Sequence, residues 1–164
     1  FALARTGPRH ALSRIDPRTN RVTRTVPLTR EYSVIASGPS GLWGAGCLKR
    51  LRHPDFECRR AAVHRIDLRT GRPEVALALP AAAEATSVQI LVSDLGAGRD
   101  AVWVVQPGKS ESASSRVSSV LRRVDLSTRK LTTVRTLPRE PADLAVGGHG
   151  AWVVDVLERI RIDP

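Results

Sequence analysis

One segment of strand, aspartate-containing turn and strand recurs along the chain, and this repeat constrains the fold more than any other feature. Its copies read "LSRIDPRTNRVTRTVPL" (12–28), "VHRIDLRTGRPEVALALP" (63–80) and "LRRVDLSTRKLTTVRTLP" (121–138), and "RIRIDP" (159–164) begins another. In each full copy an Asp can accept backbone N–H groups within the turn, and in the first two an Asn or Gly follows that can adopt a left-handed conformation. The third copy has Arg129 at that place, which predicts local strain of about 1 kcal/mol.

A second motif, of strand, Gly-rich turn and Trp-bearing strand, follows each full copy. It reads "IASGPSGLWGAG" (35–46), "LVSDLGAGRDAVWVV" (91–105) and "LAVGGHGAWVV" (144–154). Together the motifs predict a meander of strands a, b, c and d, with Trp on b and Asp at the end of c. The residues with these structural roles are Trp43, Trp103, Trp152, Asp16, Asp67 and Asp125.

Repeated four-stranded antiparallel meanders are typical of β-propeller blades, which bury their faces against one another. We therefore predict an all-β fold, a β-propeller of about 3.5 blades forming a partial ring. The chain starts and stops inside repeats and lacks Met, which favours a fragment of a longer protein. The predicted single domain, 1–164, divides into a partial blade at 1–28, blades at 32–80 and 86–138, and a partial blade at 142–164.

The composition is that of a soluble globular chain, with 41% hydrophobic residues and a net charge of +10. No apolar run approaches the roughly 20 residues of a membrane span, and no targeting signal is visible. The basic residues are spread along the chain and aromatic residues make up only 4%. Nucleic-acid binding usually needs a clustered basic stripe with stacking aromatics, so this partner is disfavoured.

The "R-I-D-P-x-T-N-x-V" and "G-x-x-x-x-G-x-W-V" patterns resemble YVTN or NHL-like propeller repeats, as in virginiamycin B lyase-like proteins. The resemblance covers nearly the whole chain and implies the propeller fold. A lyase of that kind would need a His and metal-holding carboxylates that converge on one rim, and no such catalytic motif can be assigned. No other catalytic motif is visible either, so the sequence favours a protein that is not an enzyme.

The connections between strands b and c predict where binding occurs, because they are enlarged in two repeats and emerge on the same rim. The first enlarged connection, "GCLKRLRHPDFECRR", forms a net basic patch that could receive an anionic glycan, a phosphate or an acidic protein. A solvated loop is the alternative interpretation. The candidate binding residues are Lys49, Arg50, Arg52, His53, Arg59 and Arg60.

Cys47 and Cys58, the only cysteines, lie in this same connection. A disulfide between them would stabilise the loop by roughly 3 kcal/mol and imply an oxidising compartment. Two free thiols are the next alternative. A metal pair is the least favoured, because no further Cys or His ligands have suitable spacing.

The connections between strand d and the next strand a each carry one glutamate, Glu31, Glu84 and Glu140. Carboxylates that recur at the mouth of a central channel could bind a divalent cation, Ca²⁺ or Mg²⁺, or a cationic ligand. Ordinary exposed glutamate is the alternative, since their spacings to the next Trp differ. No cofactor is otherwise expected.

These observations lead to three functional hypotheses. The first is a non-enzymatic, extracytoplasmic or secreted module that binds a protein, glycan or small-molecule ligand through one rim. The second is a metal-dependent lyase or hydrolase of the virginiamycin B lyase-like kind. The third is the extracellular sensor domain of a membrane kinase or regulator.

Overall fold

The computed structural model describes most of the chain, and every regular element in the described part is a β-strand. The described residues are 2–6, 9–48, 60–80, 92–108, 118–139, 141–147, 150–154 and 159–162. Within these ranges there is no helix that is long and apolar enough to cross a membrane. The predicted all-β class is therefore confirmed.

The strands form four antiparallel sheets, and within each sheet neighbouring strands are consecutive in sequence. Sheet 1 has three strands: β1 (Ala2–Thr6), β2 (Arg9–Asp16) and β3 (Arg21–Pro27). Sheet 2 has four: β4 (Val34–Gly38), β5 (Gly41–Cys47), β6 (Ala61–Ile66) and β7 (Pro73–Ala78). Each of these sheets is therefore a meander, with the strand order that the sequence motifs predict.

The other two sheets follow the same order. Sheet 3 has four strands: β8 (Asp94–Ala97), β9 (Ala101–Pro107), β10 (Ser119–Asp125) and β11 (Leu131–Leu137). Sheet 4 has three: β12 (Asp143–Gly147), β13 (Gly150–Val154) and β14 (Arg159–Ile162). The described residues form four separate sheets and no closed ring, so the β-propeller stays a prediction.

The turns between c and d strands are held by aspartate. The backbone N–H of Arg69 donates to Asp67 Oδ1 at 2.7 Å, and the equivalent N–H of Arg18 donates to Asp16 Oδ1 at 2.9 Å. A residue in the left-handed region reverses the chain in each turn, and these residues are Asn20, Gly71 and Arg129, with φ of 53°, 70° and 58°. Arg129 therefore adopts the left-handed conformation, which is strained for a residue that has a Cβ.

Consecutive sheets pack face to face through apolar clusters. Between sheets 2 and 3, Trp43 packs with Val63 and Val104, and between sheets 3 and 4, Trp103 packs with Val153. Trp43 and Trp103 are 3% and 4% exposed, whereas Trp152 of sheet 4 is 43% exposed. The first two tryptophans therefore pack between sheets and the third does not, because its face has no following sheet among the described residues.

The first strands of sheets 2, 3 and 4 are neighbours, because β8 contacts both β4 and β12. A Cβ placed on Gly38, the last residue of β4, would overlap the carbonyl oxygen of Ala97 at the end of β8. A Cβ on Gly96 would likewise overlap the side chain of Val146 in β12. Sheets 2, 3 and 4 are therefore stacked face to face, with their first strands closest together.

Candidate functional site

The meander gives each sheet two different edges. The b–c and d–a connections leave from one edge, which we call the loop edge and which includes residues 28–33 and 60. The a–b and c–d turns lie at the opposite edge, which we call the turn edge and which includes residues 17–20 and 67–72. Of the binding and metal-site residues predicted from sequence, Glu31 and Arg60 are described, and both lie at the loop edge.

Arg60 is the one residue of the predicted basic patch that the structure describes. It is exposed, it precedes β6, and its carbonyl oxygen accepts a hydrogen bond of 2.7 Å from the N–H of Leu48. This bond fixes the base of the enlarged connection. The other members of the patch lie outside the described residues, and they are Lys49, Arg50, Arg52, His53 and Arg59.

Glu31 lies at the loop edge and faces His10, with 3.2 Å between the carboxylate Oε1 and the imidazole Nε2. The carboxylate therefore contacts a neighbouring sheet. Glu84 and Glu140 fall outside the described part of the chain, so the set of three carboxylates stays a prediction. Among the residues that are described, no three His, Cys, Asp or Glu side chains form a cluster suited to a metal ion.

Two other carboxylates, which we did not predict as site residues, stand together at the loop edge. Asp94 and Asp143 begin the adjacent strands β8 and β12, and each accepts the N–H of the following leucine, at 2.7 Å for Asp94 and 2.8 Å for Asp143. Burial raises the pKa of Asp94, and the Asp143 carboxylate raises it further. The sequence signal was an Asp-Leu pair nine residues before Trp in two of the repeats, with Val34 in the remaining one.

Tyr32 and His64 form a buried pair between sheets 1 and 2. Their ring centroids are 5.8 Å apart in an edge-to-face arrangement, and the side chains are 2% and 1% exposed. Burial lowers the pKa of His64 to about 4 and raises that of Tyr32, with the charge of nearby Arg30 a smaller influence on both. His64 is therefore neutral near pH 7.

No hydrogen-bond partner for the Tyr32 hydroxyl or either ring nitrogen of His64 is found among the described residues. The repeat pattern does not predict this pair, because the position of His64 is taken by Ser13 in the first repeat and by Arg122 in the third. The pair places polar groups in the otherwise apolar contact between the two sheets. Protonation of His64 there would bury a charge and would therefore cost free energy.

Cys47 ends β5 at the loop edge. Cys58 lies outside the described residues, so the pairing of the two cysteines stays a prediction. Comparison of the sequence with protein-family models and with curated proteins finds no match. The function must therefore be argued from the arrangement of the sheets and their edges.

Proposed function

We propose that this chain is part of a β-propeller of YVTN or NHL-like repeats and that it is a non-enzymatic binding module. The stack of sheets with neighbouring first strands supports the propeller, since blades pack face to face around an axis with their first strands innermost. The burial of Trp43 and Trp103 between sheets supports it as well. Such a scaffold holds its connecting loops in fixed positions, where binding residues are commonly found.

The proposed binding function rests on one observation, which is that the tight turns and the long connections lie at opposite edges of the sheets. The tight turns occupy the turn edge, and the long connections, including the one that starts after Cys47 and ends at Arg60, all leave from the loop edge. The sequence of this connection is basic, so the ligand class we propose is an anionic glycan or a similarly acidic partner. An extracytoplasmic or secreted location and a Cys47–Cys58 disulfide belong to the same proposal.

The experiment uses heparin as a polyanionic probe, with binding measured by isothermal titration calorimetry at several salt concentrations. Arg60→Ser removes a loop-edge charge, and Arg18→Ser removes an exposed charge at the turn edge as the matched control. We expect the first variant to bind more weakly and with a smaller salt dependence, and the second to bind like the parent protein. Equal weakening in both variants would show a diffuse charge effect and reject the loop edge as the site.

The metal-dependent lyase or hydrolase is the second candidate, and the adjacent carboxylates of Asp94 and Asp143 are the observation in its favour. Thermal melting in the presence of Ca²⁺ or Mg²⁺ tests it. A rise in melting temperature that is lost in Asp94→Asn but kept in the exposed control Asp100→Asn would favour this candidate. No cation-dependent rise would leave the non-enzymatic module as the function.

A further inference from the structure

A small cleft opens between sheets 1 and 2, close to the turn edge. Its volume is roughly 90 Å³, and its walls combine apolar side chains with two guanidinium groups. The lining residues are Leu12, Arg14, Arg24, Val26 and Leu68. The first four come from β2 and β3, and Leu68 from the c–d turn of the next sheet closes the other side.

The two arginines of the cleft are directly opposite each other, since Arg14 and Arg24 are paired across β2 and β3. Like charges at such positions destabilise a sheet unless something neutralises them. Within the described part of the chain neither arginine has a carboxylate partner. Among the described residues, the guanidinium group of Arg24 makes one hydrogen bond, and it is a long one, of 3.4 Å, from Nη2 to the carbonyl oxygen of Arg69.

The other repeats show how the same arginine position is usually satisfied. Arg65 lies 3.5 Å from a carboxylate oxygen of Glu74, and Arg123 lies 3.2 Å from one of Asp125. Their cross-strand partners are Val75 and Thr132, neither of which is charged. Sheet 1 therefore differs from sheets 2 and 3 in two ways. It has a second arginine where they have a neutral residue, and within the described part of the chain neither of its arginines lies within 4 Å of a carboxylate, although Asp16 occupies the position of Asp125.

We propose that this cleft binds the oxyanion group of a small organic anion, a carboxylate or a phosphate monoester. Two guanidinium groups can present paired N–H donors to such an oxyanion, which is the geometry in which arginine binds most strongly. Both arginines are exposed, so a ligand can reach them from solvent. This site is at the opposite edge from the proposed loop-edge site and is independent of it.

The apolar walls and the size of the cleft define the rest of the ligand. Leu12 and Val26 are buried, while Leu68 is a large apolar side chain that is 39% exposed at the cleft. A compact apolar group attached to the oxyanion can pack against Leu68. The volume of roughly 90 Å³ is far below the ~300 Å³ or more of pockets for drug-sized ligands, so only the headgroup and a few attached atoms fit inside.

The test titrates the whole chain with phenyl phosphate, benzoate and inorganic phosphate at one low ionic strength, by calorimetry and by amide chemical shifts. We expect saturable binding of one phenyl phosphate or benzoate per chain. Arg14→Gln and Arg24→Gln should each weaken it about tenfold or more, because each removes a charge-assisted pair of donors. Arg135→Gln, an exposed arginine of β11, serves as the control and should bind like the parent protein.

The apolar wall has a separate readout. Leu68→Ala should weaken phenyl phosphate and benzoate several-fold and leave inorganic phosphate unchanged, since inorganic phosphate has no apolar part. Phosphate monoester and carboxylate are distinguished by which of the two organic probes binds more tightly. The absence of saturable binding, or equal weakening by Arg24→Gln and Arg135→Gln, would overturn the proposal, and unchanged melting temperatures of the variants would exclude misfolding as the cause.

Discussion

Three equivalent glycines in the a–b turns provide a graded test of how the sheets are stacked. Gly38, Gly98 and Gly147 each lie five residues before the tryptophan of their sheet. A Cβ on Gly38 would overlap the Ala97 carbonyl oxygen and lie 2.8 Å from its carbon, whereas a Cβ on Gly147 would meet none of the described residues within 4 Å. The same substitution therefore probes a crowded contact in one sheet and open space in another.

The expected magnitudes follow from these contacts. In Gly38→Ala the obstacle is backbone, which cannot rotate away, so β4 and β8 must separate. Overpacking of this kind costs about 1–3 kcal/mol, and the entropic benefit of replacing glycine offsets about 0.4–1 kcal/mol of it. The net loss, about 1–2 kcal/mol, lowers the melting temperature of a chain of this size by roughly 2–8 °C.

The other two variants complete the series. In Gly98→Ala the new Cβ lies 3.1 Å from the Ala101 carbonyl oxygen and 3.2 Å from Val146 Cγ1, so small shifts suffice and the effect should be intermediate. Gly147→Ala should be neutral or slightly stabilising. Differential scanning calorimetry and urea denaturation give the order. If Gly38→Ala proves as stable as Gly147→Ala, β4 does not lie against Ala97 and the face-to-face stack is wrong.

Three further predictions concern single residues. Because the pKa of His64 is about 4 when folded and near 6.5 when unfolded, the unfolded chain takes up the proton first, and stability should fall by about 3 kcal/mol between pH 7 and pH 4. His64→Leu should flatten this part of a urea-denaturation pH profile. Arg129→Gly should raise the melting temperature by roughly 2–4 °C by relieving about 1 kcal/mol of strain, a gain that Asn20→Gly should largely lack. A thiol assay on unfolded, unreduced protein should find no free thiol if Cys47 and Cys58 are paired.

The strands and turns were predictable because they depend on local, repeated signals. The recurring segment placed the c strands, and the Asp that starts each c–d turn placed the reversals, with Arg129 adopting the left-handed conformation that Asn or Gly usually supplies. The exposure of Trp152 was not predictable in the same way. Its sequence context matches that of Trp43, and its burial depends on whether another sheet covers it, which is not a property of the strand.

The contacts between sheets were the least predictable part of the site. Glu31 was considered as a cation ligand, yet it pairs with His10 of the preceding sheet. Tyr32 and His64 meet across the same seam, although they are far apart in sequence. Such pairs depend on which face of each sheet a residue occupies and on how the sheets are stacked. A repeat pattern specifies the face that each residue occupies, but it does not specify how the sheets are stacked.

The repeat also explains where functional differences should be sought. The arginine of the c strand recurs as Arg14, Arg65 and Arg123, so its recurrence is a property of the repeat and does not by itself indicate a ligand. What varies is the residue opposite it on the d strand, which is Arg24 in sheet 1 and an uncharged residue in the other two. A scaffold that must keep its packing can change a cross-strand partner near its edge at little cost to the core, because that side chain is exposed. We therefore expect departures from the repeat, rather than the residues that define it, to distinguish the proposed binding sites of this chain.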